Sequence, residues 1–190
     1  MGTVKGAKKA RNKGKRWERQ FARELSLWWS EDKDPDIFRR SFGSRTTVDA
    51  DSQGRDIMAV KKEGYGLTKY INFELKNRED IDLWKELSEG KKDKGHINQW
   101  FDEGLDTKEE FLRGKELFLI LKKNRKDCLL CIEYSLIRKL DDYGGYGEHW
   151  NNSFLWLSGG YCFEILITLW DEWKNLIAPR VFELFLRENK

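Results

Sequence analysis

Two carboxylates and a lysine stand out by type and spacing. Asp56 opens the segment DIMAV, Glu74 lies eighteen positions later, and Lys76 follows two beyond in KYINFELKNRED, residues 69–80. Tyr70 to Lys76 alternates apolar Ile71, Phe73 and Leu75 with polar Asn72, Glu74 and Lys76. That is the pattern of a half-buried strand, and it puts Glu74 and Lys76 on one face. RDIMAV and KYINFELKN read as strands joined by the Gly-containing turn KKEGYGLT, a hairpin that would set Asp56 across from Glu74. Hard divalent cations such as Mg²⁺ take one or two carboxylates as ligands. Such a cation polarises a phosphoryl oxygen and makes water more acidic. A neighbouring lysine orients that water and offsets charge in the transition state. Phosphodiester hydrolysis uses all of these parts. Taken alone, Glu74 and Lys76 equally fit a surface ion pair, which is worth little, and Asp56 fits a turn cap.

The elements that must position these residues follow from periodicity. From Lys15 the pattern is helical, with Trp17, Phe21, Leu25 and Trp28 forming one apolar stripe and Glu18 at its margin. SEDKDPD, with Pro35, ends that helix. IFRRSFGSRT reads as a short strand ending in a turn at Gly43, and VDADSQG as a loop. INQWFDEGL and KEEFLRG are helix candidates, while KELFLILKK and DCLLCIEYSLI read as two strands about the turn NRKD. A loop, DDYGGYGEHWNNS, precedes a strand, YCFEILIT, and a helix through DEWKNLIAPRVFELFL that Pro179 would kink or split. Together these predict one α/β domain built on a central mixed sheet flanked by helices. The domain spans 14–190, preceded by a basic flexible arm over 1–13.

Composition narrows the class. Of 190 residues, 36% are charged and 14% aromatic, with 9 Trp, a balance that supports a packed core. Apolar runs fall short of a membrane span, no signal-like segment opens the chain, and only 3 Cys are present, so a cytoplasmic protein with no membrane partner is expected. Cys128 and Cys131 would face opposite sides of a strand and pack there rather than bind metal. The net charge is only +3, yet residues 1–19 hold eight Lys and Arg against the single Glu18. A basic segment leading into a helix suits phosphate contact; a solvated tail is the bland alternative. Lys8, Lys9, Arg11, Lys13, Lys15, Arg16, Arg40 and Arg45 are the candidate DNA-contacting residues, with Arg39 beside them. Most aromatics read as core. Tyr146 and Trp150, in the Gly-rich loop, would suit stacking on unpaired bases, or the loop would serve as a dimer contact or lid. Neither His96 nor His149 is recommended for a role.

GRD…FELK resembles the PD-(D/E)xK nuclease motif, with Asp56, Glu74 and Lys76 in its three places and Arg55 where proline is usual. KGKRWERQFARELS resembles the first helix of archaeal-type Holliday-junction resolvases, and RRSFGSRTTVDADSQGRD their second strand, serine loop and catalytic Asp. The resemblance covers roughly residues 13–135 and leaves 136–190 unmapped. It implies a restriction-endonuclease-like core and a homodimer cutting branched DNA, the four-way junction above all. It also implies Mg²⁺, with Mn²⁺ as a substitute, held by Asp56, Glu74 and the Leu75 carbonyl. Glu18 would add an outer carboxylate, Lys76 would position the attacking water, and Ser44 would contact the DNA backbone. Gln99 matches a glutamine on the helix after the catalytic strand. Two alternatives stay open: another endonuclease of restriction or repair type on the same core, or a non-catalytic nucleic-acid binder that keeps the fold.

Overall fold

A computed structural model of the protein describes residues 4–41, 55–79, 81–82, 96–105, 114–146, 153–157 and 164–189. The elements in chain order begin with α1 (Val4–Trp29), β1 (Phe38–Arg40), β2 (Ile57–Ala59), α2 (Tyr65–Thr68), β3 (Ile71–Asn77) and α3 (His96–Leu105). They continue with β4 (Glu116–Lys122), β5 (Leu129–Glu133), α4 (Tyr134–Gly144), β6 (Phe154–Leu157), β7 (Glu164–Leu169), α5 (Trp170–Leu176) and α6 (Pro179–Asn189). Five strands form one mixed sheet in the order β3-β4-β5-β7-β6. The β3–β4 pair is parallel, and β4–β5, β5–β7 and β6–β7 are antiparallel. The expected α/β architecture on a central mixed sheet is therefore present.

The sheet is buried on both faces, as β4 shows. Phe118 and Ile120 belong to one apolar cluster with residues of α1, α4, α5 and α6. Leu117, Leu119 and Leu121 belong to another with Ile97, Trp100 and Phe101 of α3. Strand side chains alternate between faces, so an uninterrupted apolar run such as LFLIL is what a strand covered on both sides requires. Cys131 packs in the second cluster and Cys128 against the first, on opposite faces. Burial pushes the Cys128 thiol up to about 11 and Cys131 higher still, as for packing residues.

The apolar stripe of α1 docks this helix on β3. Trp17, Phe21 and Leu25 are buried, and the Phe21 ring lies 6.0 Å from Phe73 and 5.2 Å from Trp170. Ser26, also fully buried, donates from Oγ to the Ala22 carbonyl at 2.8 Å and accepts the Phe38 N–H at 2.9 Å. It thereby joins α1 to β1 directly.

Several elements differ from the periodicity reading. The helix begins at Val4, so the basic segment expected as a loose arm up to Gly14 is helical. Glycine at position 14 lowers helix propensity without breaking it, since packing further along carries the helix. The β2–β3 hairpin does not form. β2 pairs antiparallel with β1, and KKEGYGLT folds as a 3₁₀ turn (Lys62–Gly64) running into α2. Gly64 is needed there, because a Cβ would come within 2.7 Å of the Phe38 ring. DCLLCIEYSLI divides at Glu133, where β5 ends and α4 begins; Leu136, Ile137 and Leu140 are buried at helical spacing. That helix runs on to Gly144, into the stretch read as loop. Pro179 splits the last helix as expected, at the first position of α6.

Replacing Ser26 with alanine removes both Ser26 bonds and leaves the Phe38 N–H buried without a partner. A loss of about 1–3 kcal/mol is expected, read as a lower urea midpoint at unchanged slope. An unchanged midpoint would show that the Ser26 link does not hold α1 to β1.

Candidate active site

The site lies along the free edge of β3. Among the described strands β3 lies at the edge of the sheet, paired with β4, so alternate peptide groups point away from the sheet. The Phe73 carbonyl accepts the Asp56 N–H at 3.2 Å, and the Leu75 N–H donates to Asp56 Oδ2 at 2.7 Å. A strand residue's N–H and C=O point the same way, so the Leu75 carbonyl faces this same edge. Asp56 therefore does lie against β3, held by two edge bonds instead of the expected hairpin ladder.

β3 itself is more deeply buried than an alternating strand predicts. Ile71, Phe73 and Leu75 pack into the larger core, while on the other face Asn72 is 2% exposed and Glu74 8% exposed. Lys76 Nζ sits 2.6 Å from Glu74 Oε1. Arg55 Nε approaches Glu74 Oε2 to 3.5 Å, too far for a good hydrogen bond. Among the described residues Glu74 Oε2 is buried with no hydrogen-bond partner. A buried carboxylate oxygen without a hydrogen bond is costly, and a divalent cation is the kind of ligand that would satisfy it.

Electrostatics agree with this placement. Burial is the main reason that the Asp56 carboxyl is pushed up to about 7; the Glu74 charge adds to the shift and Glu18 contributes less. The Leu75 N–H and the Lys76 ammonium oppose it. Carboxylates crowded in this way disfavour ionisation until a cation joins them. Asp56, Glu74 and the Leu75 carbonyl offer oxygen donors of the kind Mg²⁺ takes alongside water and phosphate. Among the described residues no group of three His, Cys, Asp or Glu forms a ready ligand cluster.

The other expected site residues are placed unevenly. Glu18, on α1, is half-buried and paired with Arg40, close enough for its charge to act on Asp56. Gln99 is exposed on α3 and donates to Glu103 Oε1 at 2.9 Å, with no bond to the carboxylates. Lys13 is paired with Glu79 just past β3. Lys15 is half-buried and Arg16 and Arg39 are exposed. Tyr146 packs against the larger core, which leaves it poorly placed for base stacking. Ser44, Arg45, His149 and Trp150 lie outside the described residues, as do the side chains of Lys8, Lys9 and Arg11.

Two partners of the site escape sequence reasoning. Arg55 donates its backbone N–H to Asn72 Oδ1 at 3.1 Å and Nη1 to the Glu103 carbonyl at 2.8 Å, tying the Asp56 segment to both β3 and α3. Asn72 was legible only as a third polar residue on the Glu74 face. Arg55 was visible only as the residue standing where the motif prefers proline.

The Asp56 shift carries a sign. A carboxyl whose pKa is raised on folding adds stability below its ordinary range, and that contribution is lost as pH rises through the folded value, about 7 here. Asp56→Asn cannot ionise. In EDTA it is expected to exceed wild type in stability at pH 8 by on the order of 4 kcal/mol, with the gap narrowing as pH falls below about 7 and closing only near pH 4. A gap independent of pH, by thermal or urea unfolding, would show that Asp56 is not held protonated.

Comparison with known proteins follows the same residues. The sequence matches the family described as "Phage putative PDDEXK endonuclease" over residues 9–183. That span includes Glu18, Asp56, Glu74 and Lys76, and it reaches through most of the C-terminal part that the resolvase resemblance leaves unmapped. No curated protein and no solved structure matches the chain. With nearly its whole length matched, the chain belongs to the phage PDDEXK endonuclease family and is a nuclease of the PD-(D/E)xK type.

Proposed function

We propose that the protein is a Mg²⁺-dependent endodeoxyribonuclease that acts as a homodimer on branched DNA, with the four-way junction as its preferred substrate. One observation carries the metal-dependent part: the buried Glu74 Oε2, which meets Arg55 only at 3.5 Å and has no hydrogen bond among the described residues, lies in a site where Asp56, Glu74 and Lys76 converge. Asp56, Glu74 and the Leu75 carbonyl would hold the ion, and Glu18 would support it from α1. When bound, the ion would supply Lewis-acid activation of the phosphate and a more acidic water.

The chain's own groups do the rest. Lys76 would orient the attacking water and offset charge on the phosphate oxygens. The basic face of α1, with Arg16 exposed on it, would track the phosphate backbone. The preference for branched DNA is supported by the likeness of this helix and of the Asp56 segment to junction resolvases. A two-fold symmetric junction suits a two-fold symmetric dimer. Mn²⁺ is expected to replace Mg²⁺.

One cleavage panel tests this reading: four-way junction, flap, fork and linear duplex, with Mg²⁺, Mn²⁺ or EDTA. Metal-dependent cutting of the junction is expected, reduced about a thousandfold or more in Asp56→Asn and Glu74→Gln with DNA binding retained. Equal cutting of linear duplex would replace the resolvase reading with a restriction- or repair-type endonuclease. No cutting of any substrate would leave a DNA-binding protein only. Truncation of residues 1–12 is expected to weaken binding and flatten its salt dependence; an unchanged slope would remove that segment from the interface.

A further inference from the structure

Trp100 lies on α3, one residue after Gln99, and is 6% exposed. It packs in the second core cluster with Ile97, Phe101, Leu117, Leu119 and Leu121, so its ring has little freedom to move. The Lys76 ammonium lies 5.7 Å from the ring centroid and the Arg78 guanidinium 6.0 Å. His96, one turn earlier on α3, stacks on the same ring at 5.5 Å with 25° between planes.

These distances are within the range in which an indole face attracts a cation. A lysine side chain has four rotatable bonds and loses considerable freedom when fixed. Glu74 alone is a poor means of fixing it, because the oxygen that binds the ammonium belongs to a carboxylate with other work to do. A carboxylate engaged by another cation has less charge to offer Lys76. The indole face provides a hold that does not compete for that oxygen.

We propose that Trp100 is a positioning residue for phosphodiester hydrolysis: its indole face holds the Lys76 ammonium beside Glu74. The inference rests on the nuclease reading for its consequence in catalysis, and on the geometry alone for the hold itself. A residue that serves only to fill the core would affect stability and leave Lys76 untouched.

The experiment uses the full chain and two readouts. In single-turnover cleavage of the four-way junction, Trp100→Leu is expected to lower the rate about tenfold to a hundredfold with DNA affinity within about threefold. Trp100→Phe, which keeps an aromatic face, is expected to lose less. Lys76→Ala combined with Trp100→Leu should be no slower than Lys76→Ala alone, because the tryptophan acts through the lysine. Losses that multiply, or a loss confined to DNA affinity, would overturn the proposal. Trp100→Met serves the same comparison if the leucine variant does not fold. The second readout needs no cleavage: Lys76 ε-methylene protons, assigned by their disappearance in Lys76→Ala, should be shifted upfield by the ring in metal-free protein. The shift should vanish in Trp100→Leu. An unshifted resonance in wild type would sink the inference even if the protein cuts DNA. A shifted resonance in a protein that cuts nothing would remove the nuclease reading and leave the hold on Lys76 standing.

Discussion

Two carboxylates, one buried and one half-buried, are crowded together at the edge of one strand, and the rest of the molecule is arranged around tolerating that. Glu74 is nearly buried on β3, and Asp56 is fixed beside it by the Phe73 carbonyl and the Leu75 N–H. Like charges in a poorly solvated place repel and lose hydration together. The protein answers with Lys76 on one Glu74 oxygen and Arg55 near the other, while Asp56 is kept partly protonated by its surroundings. At Glu74 Oε2 the balance rests on Arg55 at 3.5 Å with no hydrogen bond among the described residues, and the catalytic proposal depends on that oxygen.

Each neighbouring element has a part in keeping the edge in place. The aromatic stripe of α1 packs on β3 through Phe21 and Phe73, and the same helix brings Glu18 within electrostatic reach of Asp56. β1 and β2 form a small separate ladder with Asp56 at its end, where the Asp56 carbonyl accepts the Ser41 N–H. On the opposite face α3 receives both cations that flank Glu74. Arg55 bonds to its Glu103 carbonyl, and Lys76 lies over its Trp100 ring. The two faces of β3 thus differ in purpose, one being apolar anchorage and the other a charged surface flanked by α3.

Individual elements show how far sequence patterns reach. The FELK alternation correctly puts Glu74 and Lys76 on one face, because side-chain alternation is a property of any strand. It misjudges exposure, since α3, packed on the neighbouring β4, brings Trp100 against Lys76, and alternation does not reveal what lies beside a strand. The hairpin between β2 and β3 was a reasonable local inference from two short apolar runs and a glycine-bearing turn. It failed because β1 competes for β2 and because the Gly64 segment is helical. The single run DCLLCIEYSLI hid a strand-to-helix change, which a short apolar stretch cannot signal by period alone. Arg55 and Trp100 carried no signal of their own, because their importance comes from contacts far along the chain.

The chemical inventory was legible in the sequence: an acid, a second acid and a lysine in motif order, a basic N-terminal segment, and an α/β pattern of periodicities. These are local properties, written in residue type and short-range spacing. That Asp56 reaches β3 by edge bonds, that Glu74 is buried with one oxygen meeting Arg55 only at 3.5 Å, and that α3 seats the flanking cations are outcomes of tertiary folding. They depend on which strand lies at the edge and which helix packs beside it. Burial, desolvation and cation contact are properties of the assembled surface, and no stretch of residues read alone contains them.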